Sequence, residues 1–345
     1  MKTFQPIDSR IVILIVAAIA VAGTLGALRP DVFLSALNIN SMLLQSSVIG
    51  LLALAVAVTM LTGGIDLSIN ATANLTAIVV ALFLAALAPP DGGGIWFTAV
   101  AIVVGLAVGL ACGLLNGFII AVLGYSPILA TLGTMTLYAG IGTVLTGGNT
   151  LFGIDTFAAI GRGSLFGVPL PALILLATAV ILTLVLEARR FGFFVYLYGA
   201  NPGAARFSGI NSTRLLLKVY GLSGVLAAVA GLLNLGITNS ANVDFGTSYV
   251  LLAILIAVLG GISPSGGSGR IVGVVLATLI LQFLSTGLNL MFQSSGSNFL
   301  KEFAWGATLL VVLAIGSSRW RNARRRTPVS SPPAPSFADG AQIRS

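Results

Sequence analysis

The sequence predicts an all-α polytopic membrane protein with about ten transmembrane helices. Of its 345 residues 57% are hydrophobic and only 8% are charged, and the mean hydropathy is +1.06. A soluble domain carries about a quarter charged residues, so this chain lacks the polar surface that water would require. Its apolar residues also occur in runs of about 20, the length that crosses about 30 Å of hydrocarbon.

Ten apolar runs, separated by turns rich in Gly and Pro, are predicted to span the membrane. We interpret the first run as an uncleaved span rather than a signal peptide, because it lacks a clear cleavage site and many spans follow it. The eighth run is the shortest. The predicted spans are residues 11–28, 42–62, 67–88, 96–122, 128–146, 169–187, 215–235, 248–262, 271–291 and 300–316.

The basic residues fix the orientation through the positive-inside rule. With the N-terminus in the cytosol, only three of the 17 Lys and Arg residues face outside: Arg29, Arg162 and Lys301. The other fourteen are cytosolic, and Arg189, Arg190, Arg206, Arg214 and Lys218 among them mark one large loop. This split supports six spans before that loop and four after it. Both termini are therefore expected in the cytosol.

The predicted organisation has three parts. Residues 1–10 form a cytosolic N-terminus, residues 11–316 form the transmembrane domain with a cytosolic loop at 188–214, and residues 317–345 form a basic tail. The tail is rich in Pro, Ser and Ala, so we expect it to be disordered, with an Arg cluster that can lie on anionic lipid. Spans 2–5 and 7–10 start from opposite sides, which raises the possibility of an inverted repeat.

Composition excludes several kinds of chemistry. The chain has no histidine, which removes His metal ligands, His general bases and His proton relays, and its lone Cys112 lies inside an apolar run. The net charge of +8 does not indicate nucleic-acid binding, because the basic residues sit in loops and a tail between apolar spans. The phosphate-loop pattern Gly-x-x-x-x-Gly-Lys-Ser/Thr does not occur, so the chain is not expected to bind or hydrolyse ATP.

The cytosolic loop contains the signals of one short helix. Asn201 is a favoured N-cap, Pro202 suits the first helical position, and Gly209 suits the left-handed position that ends a helix. So short a helix is not stable alone in water, so it should pack against this protein's own span ends or in a groove of a soluble partner. The candidate coupling residues are Asn201, Pro202, Gly203, Ala204, Ala205, Arg206, Ser208 and Gly209.

Four stretches in order carry a resemblance to a known family. They are Gly63–Ser68, Thr131–Met135, Tyr198–Ala205 followed by Ser208–Ile210, and Leu259–Ser263 followed by Gly266, Gly267 and Gly269. With these stretches the chain, from about residue 40 to 316, resembles the permease subunits of ribose-type ABC importers.

The resemblance implies a set of partners that the chain itself does not contain. Two permease subunits, identical or different, would enclose a translocation path between them. Cytosolic ABC ATPases, which bind ATP and Mg, would grip the coupling helices. An extracytoplasmic binding protein would deliver the solute. The membrane would be the bacterial inner membrane.

Asp66 is the only carboxylate near the membrane that the sequence does not place plainly in a loop or at a span end beside basic residues. Two roles remain open for it. It can cap the helix of span three, where the helix dipole favours a negative charge, or it can line the path.

Uncharged polar residues recur within several spans. Amides and hydroxyls suit a neutral solute with many hydroxyl groups, although they also serve as hydrogen bonds between helices. The path candidates besides Asp66 are Gln45, Asn70, Asn74, Gln282, Thr286 and Asn289.

The favoured function is thus a permease subunit for a monosaccharide or similar polar solute. The alternative is an ion-coupled secondary transporter, for which the chain offers few intramembrane acids. A membrane enzyme is disfavoured because no nucleophile lies beside a suitable base.

Overall fold

The computed structural model describes residues 9–87, 94–152 and 157–291, with isolated helical positions at 303, 305–307 and 310. The chain divides into two compact units, residues 1–305 and 306–345, and every helix and strand up to Met291 belongs to the first. Apart from those isolated positions, the predicted tenth span and the basic tail lie outside the described residues. So do residues 1–8 and most of the outer loop at 89–94.

Thirteen helices and four two-residue strands make up the described part of the chain. The helices are α1 (Ser9–Leu28), α2 (Pro30–Phe33), α3 (Ala36–Met60), α4 (Ile69–Leu87), α5 (Gly94–Ala121), α6 (Pro127–Thr146), α7 (Ala158–Arg162), α8 (Leu170–Glu187), α9 (Arg190–Ala200), α10 (Pro202–Phe207), α11 (Ser212–Thr238), α12 (Tyr249–Leu259) and α13 (Ile271–Met291). The strands are β1 (Leu151–Phe152), β2 (Ser164–Leu165), β3 (Val168–Pro169) and β4 (Ser240–Ala241).

Eight of the described helices are long and apolar enough to cross a membrane, which confirms the all-α polytopic prediction. They correspond to predicted spans 1 to 7 and 9, with most ends within three residues. One boundary was wrong: α3 begins at Ala36 rather than at residue 42. The side chain of Ser35 caps this helix by accepting a hydrogen bond from the Asn38 backbone N–H at 3.3 Å, so a polar first turn precedes the apolar run.

Helices α3 and α11 form the centre of the molecule. Between Leu51 and Val58 every residue of α3 is at most 1% exposed, and α11 packs against α3, α4 and α5. The contact between α5 and α11 depends on a ridge of glycines, because a Cβ on Gly109 or Gly113 would lie within 2.4 Å of α11 atoms. Small residues let membrane helices approach this closely.

The predicted eighth span is a broken helix. Helix α12 has only 11 residues, about 16 Å of rise, and residues 239–248 before it form β4 and turns. Strand β4 pairs with β1, so this segment starts where α6 and α11 both end. Non-helical backbone at membrane depth is tolerated only where protein covers it or where it lines an aqueous cavity.

The inverted relation between spans 2–5 and 7–10 stays a prediction. The tenth span lies outside the described residues, so the second group of four cannot be compared with the first as a whole.

Candidate functional site

The coupling segment contains the predicted helix, α10. The Asn201 side chain accepts a hydrogen bond from the Ala204 backbone N–H at 3.0 Å, Pro202 occupies the first turn, and Gly209 has a φ of +80°. Within α10, the Ala205 side chain is fully buried, whereas Phe207 is 97% exposed. The helix therefore rests on its own protein through one face and presents an aromatic ring on the other.

Helix α9, which supports α10, was not predicted from the sequence. The Tyr196 hydroxyl of α9 donates a hydrogen bond to the Gly269 carbonyl at 2.9 Å, which fixes this helix against the loop after α12. Burial raises the pKa of the Tyr196 phenol, the Glu187 carboxylate adds to that rise, and Arg270 opposes it. Its sequence carries little helix signal, because aromatic residues such as Phe191, Phe193 and Tyr196 have modest helix propensity.

Two clefts flank α10. One, of about 600 Å³, lies between α10, the turn after α3 and the α5–α6 turn, and includes Arg206 in its lining. The other, of about 410 Å³, lies beside α9 and the start of α11, and its lining includes Arg190, Arg214 and Lys218. Among the predicted coupling residues Arg206 lines the first cleft, and Ser208 and Gly209 line the second. The surface around α10 is therefore concave, aromatic and basic.

Glycines from three of the family stretches meet beneath this surface. The Gly267 N–H donates to the Leu61 carbonyl at 2.9 Å. A Cβ on Gly199 would overlap the Leu61 carbonyl oxygen, and one on Gly266 would lie 2.7 Å from the Gly63 nitrogen. The turn after α3, the end of α9 and the loop after α12 are thus in backbone contact, which no larger side chain would permit.

Asp66 lies directly beyond this glycine contact and is 2% exposed. One carboxylate oxygen accepts from the Ser68 backbone N–H at 2.9 Å and from the Ser68 hydroxyl at 2.7 Å. The other accepts from the Ser223 hydroxyl of α11 at 3.0 Å. The carboxylate thus holds the residue that precedes α4 and ties it to α11.

The Asp66 contacts extend into a buried polar chain. The Asn116 amide of α5 donates to the Ser68 hydroxyl at 2.7 Å, and the Thr134 hydroxyl of α6 donates to the Asn116 carbonyl oxygen at 2.6 Å. Thr131 joins the same turn, because its hydroxyl accepts from the Leu67 N–H at 3.1 Å. The Thr131–Met135 stretch therefore meets the Gly63–Ser68 stretch. An isolated amide in the long apolar helix α5 was the signal that sequence analysis passed over.

Asn70 and Asn74 hold the broken eighth span in place. The Asn70 amide donates to the Phe245 carbonyl at 2.8 Å, and the Asn74 amide donates to the Val243 and Phe245 carbonyls at 2.7 and 2.9 Å. These carbonyls belong to residues 239–248, where no helix supplies a partner. Both side chains are at most 6% exposed, so the two amides satisfy non-helical backbone in this conformation.

The broken segment passes the middle of α6. The Tyr138 hydroxyl donates to the Cys112 carbonyl at 2.9 Å, and Tyr138 packs with Ala71 and Leu75 of α4. Tyr138 is about 17 Å along α6, whose 20 residues rise about 30 Å. The carbonyls of Val243 and Phe245, bound at Asn70 and Asn74, therefore lie well within the length of α6, near the level of Tyr138.

The polar residues of α13 face α3. The Gln282 amide donates to the Gln45 carbonyl oxygen and to the Thr286 hydroxyl, both at 3.3 Å. Gln45 is exposed and Asn289 is half-buried, with an Asn289 carbonyl oxygen that has no hydrogen-bond partner among the described residues. Gln45, Gln282 and Thr286 thus form one polar seam, and Asn289 follows on the same face of α13, seven residues after Gln282. This seam is separate from Asp66, Asn70 and Asn74.

The described residues contain no group of three or more His, Cys, Asp or Glu side chains that could hold a metal ion. Cys112, the one cysteine of the chain, is buried.

The chain is similar in sequence to known transport proteins. A family model described as "branched-chain amino acid transport system / permease component" matches residues 38–313. The ribose import permease protein RbsC of Bacillus subtilis is 40% identical over 286 residues, 82% of this chain and 85% of the relative. The autoinducer 2 import system permease protein LsrD of Klebsiella pneumoniae is 35% identical over 321 residues, 90% and 91% of the two chains. The D-allose transport system permease protein AlsC of Escherichia coli is 34% identical over 77% of this chain and 80% of the relative. No solved structure matches the chain.

Proposed function

We propose that this chain, which belongs to the family of transport-system permease components whose model matches residues 38–313, is the transmembrane permease subunit of an ATP-driven ABC importer. Its cargo is a monosaccharide or a similar polar solute. It forms the translocation path together with a second permease subunit, in the inner membrane of a bacterial cell, with both termini in the cytosol.

The geometry of α10 carries this proposal. Helix α10 presents the exposed Phe207 beside two clefts with basic linings. A soluble partner can therefore contact the Phe207 ring and the basic side chains of the clefts. The same segment reaches the turn after α3 through the close approach of Gly199 to Leu61. A cytosolic ATPase that binds ATP and Mg and pulls on α10 would therefore move the turn that bears Asp66. An extracytoplasmic binding protein would supply the solute from the other side.

The nature of the solute follows from the polar groups at membrane depth. Amides and hydroxyls predominate among the path candidates, and such groups can exchange hydrogen bonds with the hydroxyl groups of a sugar. The relatives named for ribose, autoinducer 2 and D-allose import support a small polyhydroxylated cargo. The Gln45–Gln282–Thr286 seam, which ends at Asn289, is the more open of the two polar groups and is the better path candidate. Asp66, Asn70 and Asn74 would line the path only if the turn and the broken segment move.

Helix α6 supplies the surface for the second permease subunit. A Cβ on Gly133 or Gly140 would meet no atom within 4 Å, and both glycines are exposed on the side of α6 opposite its buried Tyr138. Thr136 and Thr143 continue the same stripe, with hydroxyls bonded to their own helix. Small residues on an exposed membrane helix suit close packing against another helix, which this chain alone does not provide.

Reconstituted transport tests the proposal. The chain is purified with its attached proteins, placed in liposomes, and assayed with a panel of D-ribose, D-allose, D-xylose and D-glucose. We expect uptake that needs ATP and the binding protein and that persists when an uncoupler collapses ion gradients. Uptake that an uncoupler abolishes while ATP is present would instead identify an ion-coupled secondary transporter.

A further inference from the structure

Asp244 is an exposed carboxylate on the broken eighth span. Among the described residues it makes no hydrogen bond and no ion pair. Its neighbours on both sides are fixed, because the Val243 and Phe245 carbonyls accept from the amides of Asn70 and Asn74. The backbone therefore fixes the position of the Asp244 carboxylate, although this carboxylate has no partner among the described residues.

The depth of Asp244 follows from the same contacts. The flanking carbonyls lie level with Asn70 and Asn74, hence level with Tyr138 at the middle of α6. The side chain of Val243 also approaches α6, since a Cβ on Gly142 would lie 3.1 Å from it. Asp244 thus lies level with the part of α6 between Tyr138 and Gly142, about 6–12 Å from the Thr146 end of a helix that is long enough to span the bilayer.

A carboxylate at this depth cannot face lipid without a large cost, so intramembrane acids face an aqueous path or a partner. The predicted spans leave Asp244 in the connection between residues 235 and 248, and Asp66 was the carboxylate that the sequence singled out. The structure favours Asp244 over Asp66 as a residue that can contact a solute. Asp66 accepts three hydrogen bonds and is buried, whereas Asp244 accepts none from the described residues and is exposed.

We propose that Asp244 is a solute contact in the translocation path, and that its two carboxylate oxygens accept hydrogen bonds from adjacent hydroxyl groups of a monosaccharide. This inference rests on the proposed importer function. A carboxylate accepts without donating, so it selects a ligand with paired hydroxyl donors. The exposed Thr247 hydroxyl lies three positions later, just before α12, where no side chain caps the helix. Interrupted helices at half depth are the usual place for solute sites in transporters.

A purely structural role would also put an acid near the start of α12, where the helix dipole favours it. The two roles differ in what surrounds the carboxylate. A carboxylate that contacts the solute must be accessible to water, and bound sugar must shield it. A carboxylate that only interacts with the helix dipole requires neither water access nor shielding by sugar.

Cysteine labelling tests the surroundings of position 244. Cys112 is the one cysteine, so Cys112→Ser removes the background, and Asp244→Cys is compared with Leu110→Cys, an exposed α5 position two residues from Cys112 and hence at similar depth. Because the thiolate is the reactive form and does not form in hydrocarbon, a charged thiol reagent should modify the Asp244→Cys variant about tenfold faster or more. The sugar that wild-type uptake selects from the panel should slow this reaction. Equal rates for the two variants, or no protection by that sugar, would overturn the proposal.

Transport by the assembled complex gives the second readout. Asp244→Asn should lower uptake at subsaturating sugar by about ten- to a hundredfold, as expected for loss of hydrogen bonds to a charged group, while the complex still assembles. Asp31→Asn, at another exposed carboxylate, should leave uptake unchanged. Undiminished uptake by Asp244→Asn would refute the inference alone. Absence of ATP-driven uptake in the wild type would refute the importer function, and the inference with it.

Discussion

At the scale of single residues, the turn between α3 and α4 depends on one carboxylate. Asp66 accepts three hydrogen bonds from Ser68 and Ser223 while almost wholly buried. Each buried donor left without a partner costs about 1–3 kcal/mol, so the turn loses stability when the acceptor is removed. The carboxylate therefore has a structural role here whether or not the path later reaches it.

We predict that Asp66→Ala lowers the melting temperature of the detergent-solubilised protein and that Asp66→Asn lowers it far less. The amide keeps one oxygen to accept from Ser68, and the Ser223 hydroxyl can turn to accept from the new N–H. Differential scanning fluorimetry gives the measurement, with the exposed Asp31→Ala as control. Equal melting temperatures for Asp66→Ala and wild type would contradict the hydrogen-bonding scheme.

At the scale of elements, α10 separates a buried support from an exposed contact. Ala205 is fully buried, so a large side chain there would disturb the fold, whereas its neighbour Ala204 is exposed. Ala204 is the third residue of α10 after its cap, a position where Glu is favoured in short helices. A substitution at Ala204 therefore probes docking rather than folding.

Ala204→Glu is predicted to uncouple the ATPase. A bulky charge buried without a partner at an interface costs about 2–5 kcal/mol, which is roughly a thirtyfold or greater loss of affinity. Solute-stimulated ATPase activity and co-purification of the ATPase should both fall, while the melting temperature of the permease stays unchanged. Ser164→Glu, in the exposed β2 strand, serves as the control. If the Ala204→Glu variant keeps full solute-stimulated ATPase activity, the ATPase does not dock on this face of α10.

At the scale of the whole molecule, central and peripheral helices differ sharply. Helix α3 is buried between α8, α11, α12 and α13, whereas α6 packs chiefly against α4 and leaves a side with Gly133 and Gly140 open. A central helix surrounded by its own chain suits a rigid scaffold. A peripheral helix with open glycines suits assembly with another subunit.

Gly140→Leu should therefore block assembly without disturbing the protomer. Nothing lies within 4 Å of the added Cβ in one chain, but the side chain would separate two closely packed helices. Native mass spectrometry of the purified complex should show one permease subunit instead of two. Gly23→Leu, which also meets open space on α1, is the matched control and should keep two. If both variants keep two permease subunits, α6 does not lie in the interface between the subunits.

What the sequence determined by itself was local. Runs of apolar residues set the membrane helices, and Asn201 and Pro202 set the start of α10, because hydropathy and capping act within a few neighbouring residues. Contacts between distant residues decided the rest. Asn74 meets the Val243 carbonyl 169 positions away, and Ser223 meets Asp66 across 157. Only the packed helices bring such pairs together. They therefore decide that Asp244 lies within the length of the membrane helices, and that the apolar eighth span is a broken helix.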